Sequence, residues 1–227
     1  SAVFNQGEST VTFNNNSADV NFSGSTNFHH LVIATGTNFV TTENAYIGIT
    51  GNLTVQGSVQ FSIHSNTVEY KGSSTQQVVN PTGGDDGYHH LIFSGTGTKV
   101  LPSRLDIYGD LTNNANSVNT STNLSSVYFM GRVSTPHIQY IKGTKSFEIT
   151  RLYIQNTLGI ELQQNLTIST LLQMNGSNPS TTKGLLHTGN FRLTLAPGAA
   201  IDGDGEVTGY VKRTSFVADT YYQMGHK

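Results

Sequence analysis

The chain has 227 residues with 12 Lys and Arg, 14 Asp and Glu and no cysteine, so charged residues make up only 11% of it. That is well under the roughly 25% usual in soluble domains. A net charge of −2 without a Lys/Arg cluster argues against a nucleic-acid or anionic-membrane partner, and the lack of cysteine excludes disulfides, thiolate metal sites and a Cys nucleophile.

Ser, Thr, Asn, Gln and 24 Gly must therefore keep the surface wet. Together with the absence of cysteine, this composition points to an extracellular or cell-surface bacterial protein. No apolar run approaches the roughly 20 residues that a membrane helix needs, so membrane insertion is not expected. The opening SAVFNQGEST lacks the basic and apolar regions of a signal peptide, and the expectation is a processed or excised piece of a longer chain.

From the N-terminus onward the pattern is short alternation. Val11 and Phe13, Leu31 and Ile33, Leu53 and Val55, Val59 with Phe61 and Ile63, Leu91 and Phe93, Leu152 and Ile154, and Leu193 and Leu195 each read as a strand. Gly and Asn punctuate them. The one stretch with helical character, LTISTLLQMNG, is short, uncapped and rich in β-branched residues.

A longer period lies above the strands. TVTF at 10, TVEY at 67 and SVYF at 126 are 57 and 59 residues apart, and GNLTV at 51, GDLTN at 109 and QNLTI at 164 follow 58 and 55 apart. The order is the same in each unit: TVTF, FHHLVI, GNLTV; then TVEY, YHHLIF, GDLT; then SVYF, ITRLYI, QNLTI. The chain therefore divides into units at about 10–66, 67–125 and 126–184, followed by terminal coils.

Three motifs about 20 residues apart suit a unit of about three coils in a parallel β-helix, whereas an immunoglobulin-like sandwich needs about 100 residues. The expected fold is an all-β, right-handed parallel β-helix over residues 1–210. Residues 211–227 are read as a C-terminal segment leading to a downstream domain. Leu31, Leu91 and Leu152, then Ile33, Phe93 and Ile154, are the expected inward positions, with Asn and Gly at corners.

FHHLVIATGTNFVTTENAYIGITGNLTVQGSVQF and YHHLIFSGTGTKVLPSRLDIYGDLT resemble a repeat, F-Y-N-L-x-I-x-G-x-G-T-K-x-L followed by L-x-V-x-G-N-L-T. This repeat occurs in very large secreted and cell-surface proteins of Bacteroidetes-type bacteria. The resemblance implies a β-helical, adhesin-like role, export and further chain at both ends. It names no ligand, and His30 and His90 stand where such repeats commonly carry Asn.

The two His-His pairs raise the question of metal binding. Adjacent residues of a strand point to opposite faces, so neither pair chelates one ion unaided. Three coils at ~4.8 Å each would separate the pairs by roughly 14 Å, against the roughly 4 Å between two ligands of one ion. The third unit has Thr150 and Arg151 at this place, so the histidines read as corner residues.

GGDDGYHH is the richest local constellation. The second unit is longer here, 21 residues from TVEY to its aromatic against 18 in the first. This puts Asp85 and Asp86 in an enlarged loop beside His89 and His90, where they could bind Ca²⁺, bind a ligand or do acid-base work. DGDGE supplies Asp202, Asp204 and Glu206, an alternation like the start of a calcium loop without its later ligands. No other cofactor is expected.

The leading expectation is a non-enzymatic stalk or adhesin. The alternative is a carbohydrate-binding or pectate lyase-like β-helix with glycans as partners. The acids are scattered, mostly one per coil, which weighs against catalysis. Tyr108, Phe129 and Tyr153, if exposed, could stack on sugar rings.

Overall fold

The computed structural model describes residues 7–15, 19–81, 87–132, 136–174 and 184–214. Within them every regular element is a strand, and every pairing between strands is parallel. The chain is a β-solenoid.

Each coil has three sides. The first side is an unbroken ladder of nine passes: Ser25–Phe28, Tyr46–Ile49, Thr67–Tyr70, His90–Phe93, Leu111–Asn113, Gln139–Gly143, Ile160–Leu162 and the starts of Leu185–Leu195 and Glu206–Arg213. The second side follows each pass after a short corner, beginning with Thr10–Phe13, His30–Ile33 and Leu53–Val55. The third carries Asp19–Phe22, Asn38–Thr41 and Ser58–Gln60, then Arg104–Ile107, Ser126–Phe129, the end of Phe147–Ile154, the end of Leu166–Gln173, and Ala200–Asp202. Phe61, Tyr88 and Ile107 bridge the two parts of that third side.

Alternation along these short strands decides the interior. Leu31, Ile33, Leu91, Phe93, Leu152 and Ile154 are all fully buried, as their pattern predicts. Each lies against the matching position of the next coil: Leu31 between Val11 and Leu53, Leu91 between Val68 and Leu111, Leu152 between Val127 and Leu172. Burying such a side chain contributes about 1.5–3 kcal/mol, and the corners are what the chain spends to repeat it. Asn44 (φ 59°) and Gly95 (φ 76°) hold left-handed conformations there, which these two residue types adopt at least cost.

The 60-residue unit is a little short of three turns. From Thr10–Phe13 to Thr67–Tyr70 the chain passes eight sides, and from Thr67–Tyr70 to Ser126–Phe129 another eight. Eight sides of a three-sided coil make two and two-thirds turns. The repeated motif therefore moves to a new side in each unit: the second side in the first unit, the first side in the second, the third side in the third.

Within the first two units the three motifs do stack directly, with Thr10 on His30 and Leu31 on Leu53, then Thr67 on His90 and Leu91 on Leu111. The third unit departs from this order. Ser126–Phe129 stacks on residues 151–154, but the next rung is Leu171, Leu172 and Gln173, while Leu166 of QNLTI pairs with Phe147 one side earlier. The sequence likeness of QNLTI to GNLTV does not translate into an equivalent place.

Candidate functional site

The two His-His pairs occupy equivalent corners on different sides of the solenoid. His29 and His89 turn the corner; His30 and His90 open the following strands. In each pair the second histidine serves the next coil: the backbone N–H of Asn52 donates to His30 Nδ1 at 3.0 Å, and that of Asp110 donates to His90 Nδ1 at 3.0 Å. Both donors belong to the residue after the glycine in GNL and GDL.

That glycine is fixed by the same contact. A Cβ on Gly51 would lie 2.6 Å from the His29 carbonyl oxygen and 2.7 Å from His30 Cε1; on Gly109 it would lie 2.6 Å from the His89 carbonyl oxygen. From the other side a glutamine closes the turn. Gln76 Nε2 donates to the carbonyls of Ile49 (3.0 Å) and Gly51 (2.5 Å), and Gln139 Nε2 to those of Ile107 (2.9 Å) and Gly109 (2.8 Å). Each I-x-G corner is thus held between a histidine from the coil before and a glutamine from the coil after.

These partners set the protonation of the rings. With Nδ1 accepting, His90 carries its proton on Nε2, which donates to Ser65 Oγ at 3.4 Å. Burial lowers the His90 pKa, opposed by Asp110. His89 is only 9% exposed, and its Nδ1–H donates to the Ser62 carbonyl at 3.5 Å. Burial and then the neighbouring His90 bring its pKa down to about 4. The third unit ties the corresponding place without imidazole: buried Thr150 donates through Oγ1 to the Thr120 carbonyl at 2.8 Å.

A surface depression of about 440 Å³ lies against this second pair, lined by Glu43, Ile63, Ser65, His89, His90 and His137. The His89 and His137 rings stack at 5.8 Å between centroids. Asp85 and Asp86 lie outside the described residues. Among the described residues no group of three or more His, Asp or Glu is arranged to hold a metal ion.

DGDGE forms the corner between the third and first sides. Asp202 uses its own carboxylate locally, accepting the Gly203 N–H at 2.8 Å. Asp204 is exposed, and Glu206 enters the ladder opposite Leu185. The three acids are consecutive features of one turn, and Asp202 already has a donor.

A second depression, about 280 Å³, opens on the third side between Arg104, Tyr128, Tyr153, Ile154, Gln155 and Gln173. Tyr128 and Tyr153 stack at 4.2 Å with their planes 12° apart, and the Arg104 guanidinium covers the other face of Tyr128 at 4.3 Å. Arg104 Nε donates to both oxygens of Asp106, at 2.8 and 3.1 Å, and this hydrogen bond raises the Arg104 pKa. Asp106 is steadied in turn by the Asn80 amide at 3.2 Å.

Tyr153, one of the aromatic residues that could stack on sugar rings if exposed, is half-buried. Its partner Tyr128, and Arg104 with it, had no sequence signal beyond aromatic residues at the outward positions of SVYF and RLYI. Units one and two carry Thr12 and Val32, then Glu69 and Ile92, at those places. Phe129 is fully buried and belongs to the core. No family model, curated protein or solved structure matches this chain.

Proposed function

We propose that the chain is a non-enzymatic stalk or adhesin segment of a large bacterial surface or secreted protein. The observation that carries this is the unbroken nine-pass parallel ladder over a continuous apolar interior. Backbone hydrogen bonds run from coil to coil, so bending or extending the rod means straining many of them at once. Low charge and a surface of Thr, Ser and Asn suit a structure that displays length rather than steering a small substrate.

The resemblance to Bacteroidetes-type surface repeats supports the same assignment, with the remainder of a longer chain as neighbour. Antibody labelling of intact, unpermeabilised cells of the source organism tests it. Surface labelling or recovery from the medium is the expected result. Labelling that appears only after permeabilisation overturns it.

The alternative reading is a carbohydrate-binding β-helix, favoured by the depression on the third side, where polar and aromatic side chains from successive coils line up.

A further inference from the structure

We infer that the depression between Arg104, Tyr128, Tyr153, Gln155 and Gln173 is a binding site for a carboxylate-bearing sugar of an acidic polysaccharide. This rests on the carbohydrate-binding reading of the same depression and is independent of the stalk role, since a ligand can be bound wherever the rod resides.

The first argument is which side chains are committed. Gln76, Gln139 and Asn156 show polar side chains tied to neighbouring coils. Here they are not. Among the described residues Arg104 is engaged only through Nε, on Asp106, so its two terminal nitrogens have no acceptor. The side-chain amides of Gln155 and Gln173 likewise have no hydrogen-bond partner among the described residues.

The second argument is preorganisation. Asp106 holds the guanidinium at Nε and the Tyr128 ring supports it from beneath, so little rotamer freedom remains to be lost on binding. A fixed fork of N–H groups matches a carboxylate in a bidentate way. The two glutamine amides, each able to donate and accept, suit the hydroxyls of the same or the next sugar.

The third argument concerns geometry. Tyr128 and Tyr153 shield each other's faces, and Arg104 shields the remaining face of Tyr128, so a ring cannot lie flat on Tyr128. Recognition falls to edges and polar groups. Tyr153 and Gln173 are successive rungs, as are Tyr128 and Tyr153, with ~4.8 Å between coils. A chain lying along the axis meets a new polar group at each coil. An extended peptide gains less: the backbone of this side is already paired coil to coil, so no strand can be added to it.

Titration calorimetry with an oligogalacturonate, at low and high salt, tests the site. The comparison ligands are an uncharged cello-oligosaccharide, an oligoglutamate and inorganic phosphate. Oligogalacturonate should bind and the others should not. Arg104→Gln should weaken binding at least tenfold, as loss of a charge-assisted bidentate pair does. Gln155→Ala and Gln173→Ala, which leave the fold's ties untouched, should each weaken it several-fold at unchanged melting temperature. Equal binding of the uncharged sugar, equal binding of oligoglutamate or phosphate, insensitivity to all three substitutions, or no binding at all would each overturn the proposal. None of these results bears on surface labelling of cells, so the two proposals fail separately.

Discussion

His90 Nδ1 accepts the backbone N–H of Asp110 from the following coil at 3.0 Å. The same bond joins His30 to Asn52 in the unit before. The part-buried Asp110 N–H needs an acceptor, and an unprotonated imidazole nitrogen supplies one across the gap between coils. His30 and His90 therefore tie one coil to the next, and their spacing records the unit.

Replacing His90 by Leu leaves the Asp110 N–H without its acceptor and should cost about 1–3 kcal/mol. His90→Asn, which restores a side-chain acceptor, should cost less. Urea midpoints of the two variants check the order. His30→Leu should cost less than His90→Leu, because the Asn52 N–H lies in an exposed corner where water can take the ring's place, and the double variant should be additive because the two corners lie on different sides of the solenoid. Equal losses in the Leu and Asn variants would show that packing, not the hydrogen bond, decides the position.

Gly109→Ala should be destabilising. The new Cβ would sit 2.6 Å from the His89 carbonyl oxygen, a backbone atom that cannot swing away. Overpacking of this kind costs about 1–3 kcal/mol, and Gly51→Ala should match it. A melting temperature unchanged from the parent in both would mean that the corner relaxes freely.

These corners show what was legible in the sequence. Alternation at Leu31, Leu91 and Leu152 gave the inward positions correctly because a strand's period of two is local. The side on which each motif falls is not local. It depends on how many residues each corner consumes, and the eight-side unit that turns His90 onto a different side from His30 emerges only from the summed corner lengths. QNLTI misled for that reason: its residues fit a strand, but Leu172 holds the rung that Leu53 and Leu111 hold in the other units. Gln76 and Gln139 read as ordinary polar residues, since nothing in a glutamine's type says that its amide reaches into the corner of the preceding coil. Arg104 and Tyr128 are 24 residues apart in sequence and meet only because their strands are adjacent rungs.

Acid should loosen the second His-His corner. The His89 pKa falls from 6.5 to about 4 on folding, so between those pH values the unfolded chain binds more protons than the folded one. Stability contributed by the neutral ring is complete above about pH 6.5 and is lost as pH falls toward 4, by up to about 3 kcal/mol. Glu43, His64, Asp110, Lys142, Arg132 and His137 surround the pair, so the comparison must be made against a His89→Gln variant. Wild type should lose stability more steeply than the variant over this window. Parallel curves would contradict the assignment.

Lys99 gives the opposite end of the pH scale. Its side chain is fully buried, and Nζ donates to the carbonyls of Gly72 and Gly97, both at 2.9 Å. Burial lowers its pKa from 10.5 to about 8, with Glu69 opposing. Below about pH 8 the folded chain carries the whole cost of a buried ammonium. Between 8 and 10.5 the unfolded chain binds more protons, so stability rises with pH by up to about 3 kcal/mol. Tyrosines act against this above pH 10, because burial pushes Tyr70 up to about 12 and Tyr88 higher still. Subtracting the curve of Lys99→Met, which has the same tyrosines and no amine, isolates the lysine. The difference, wild type minus variant, should rise through pH 8–10 and then flatten. A difference independent of pH would show that the amine is charged throughout, held by its two carbonyls strongly enough to outweigh its burial.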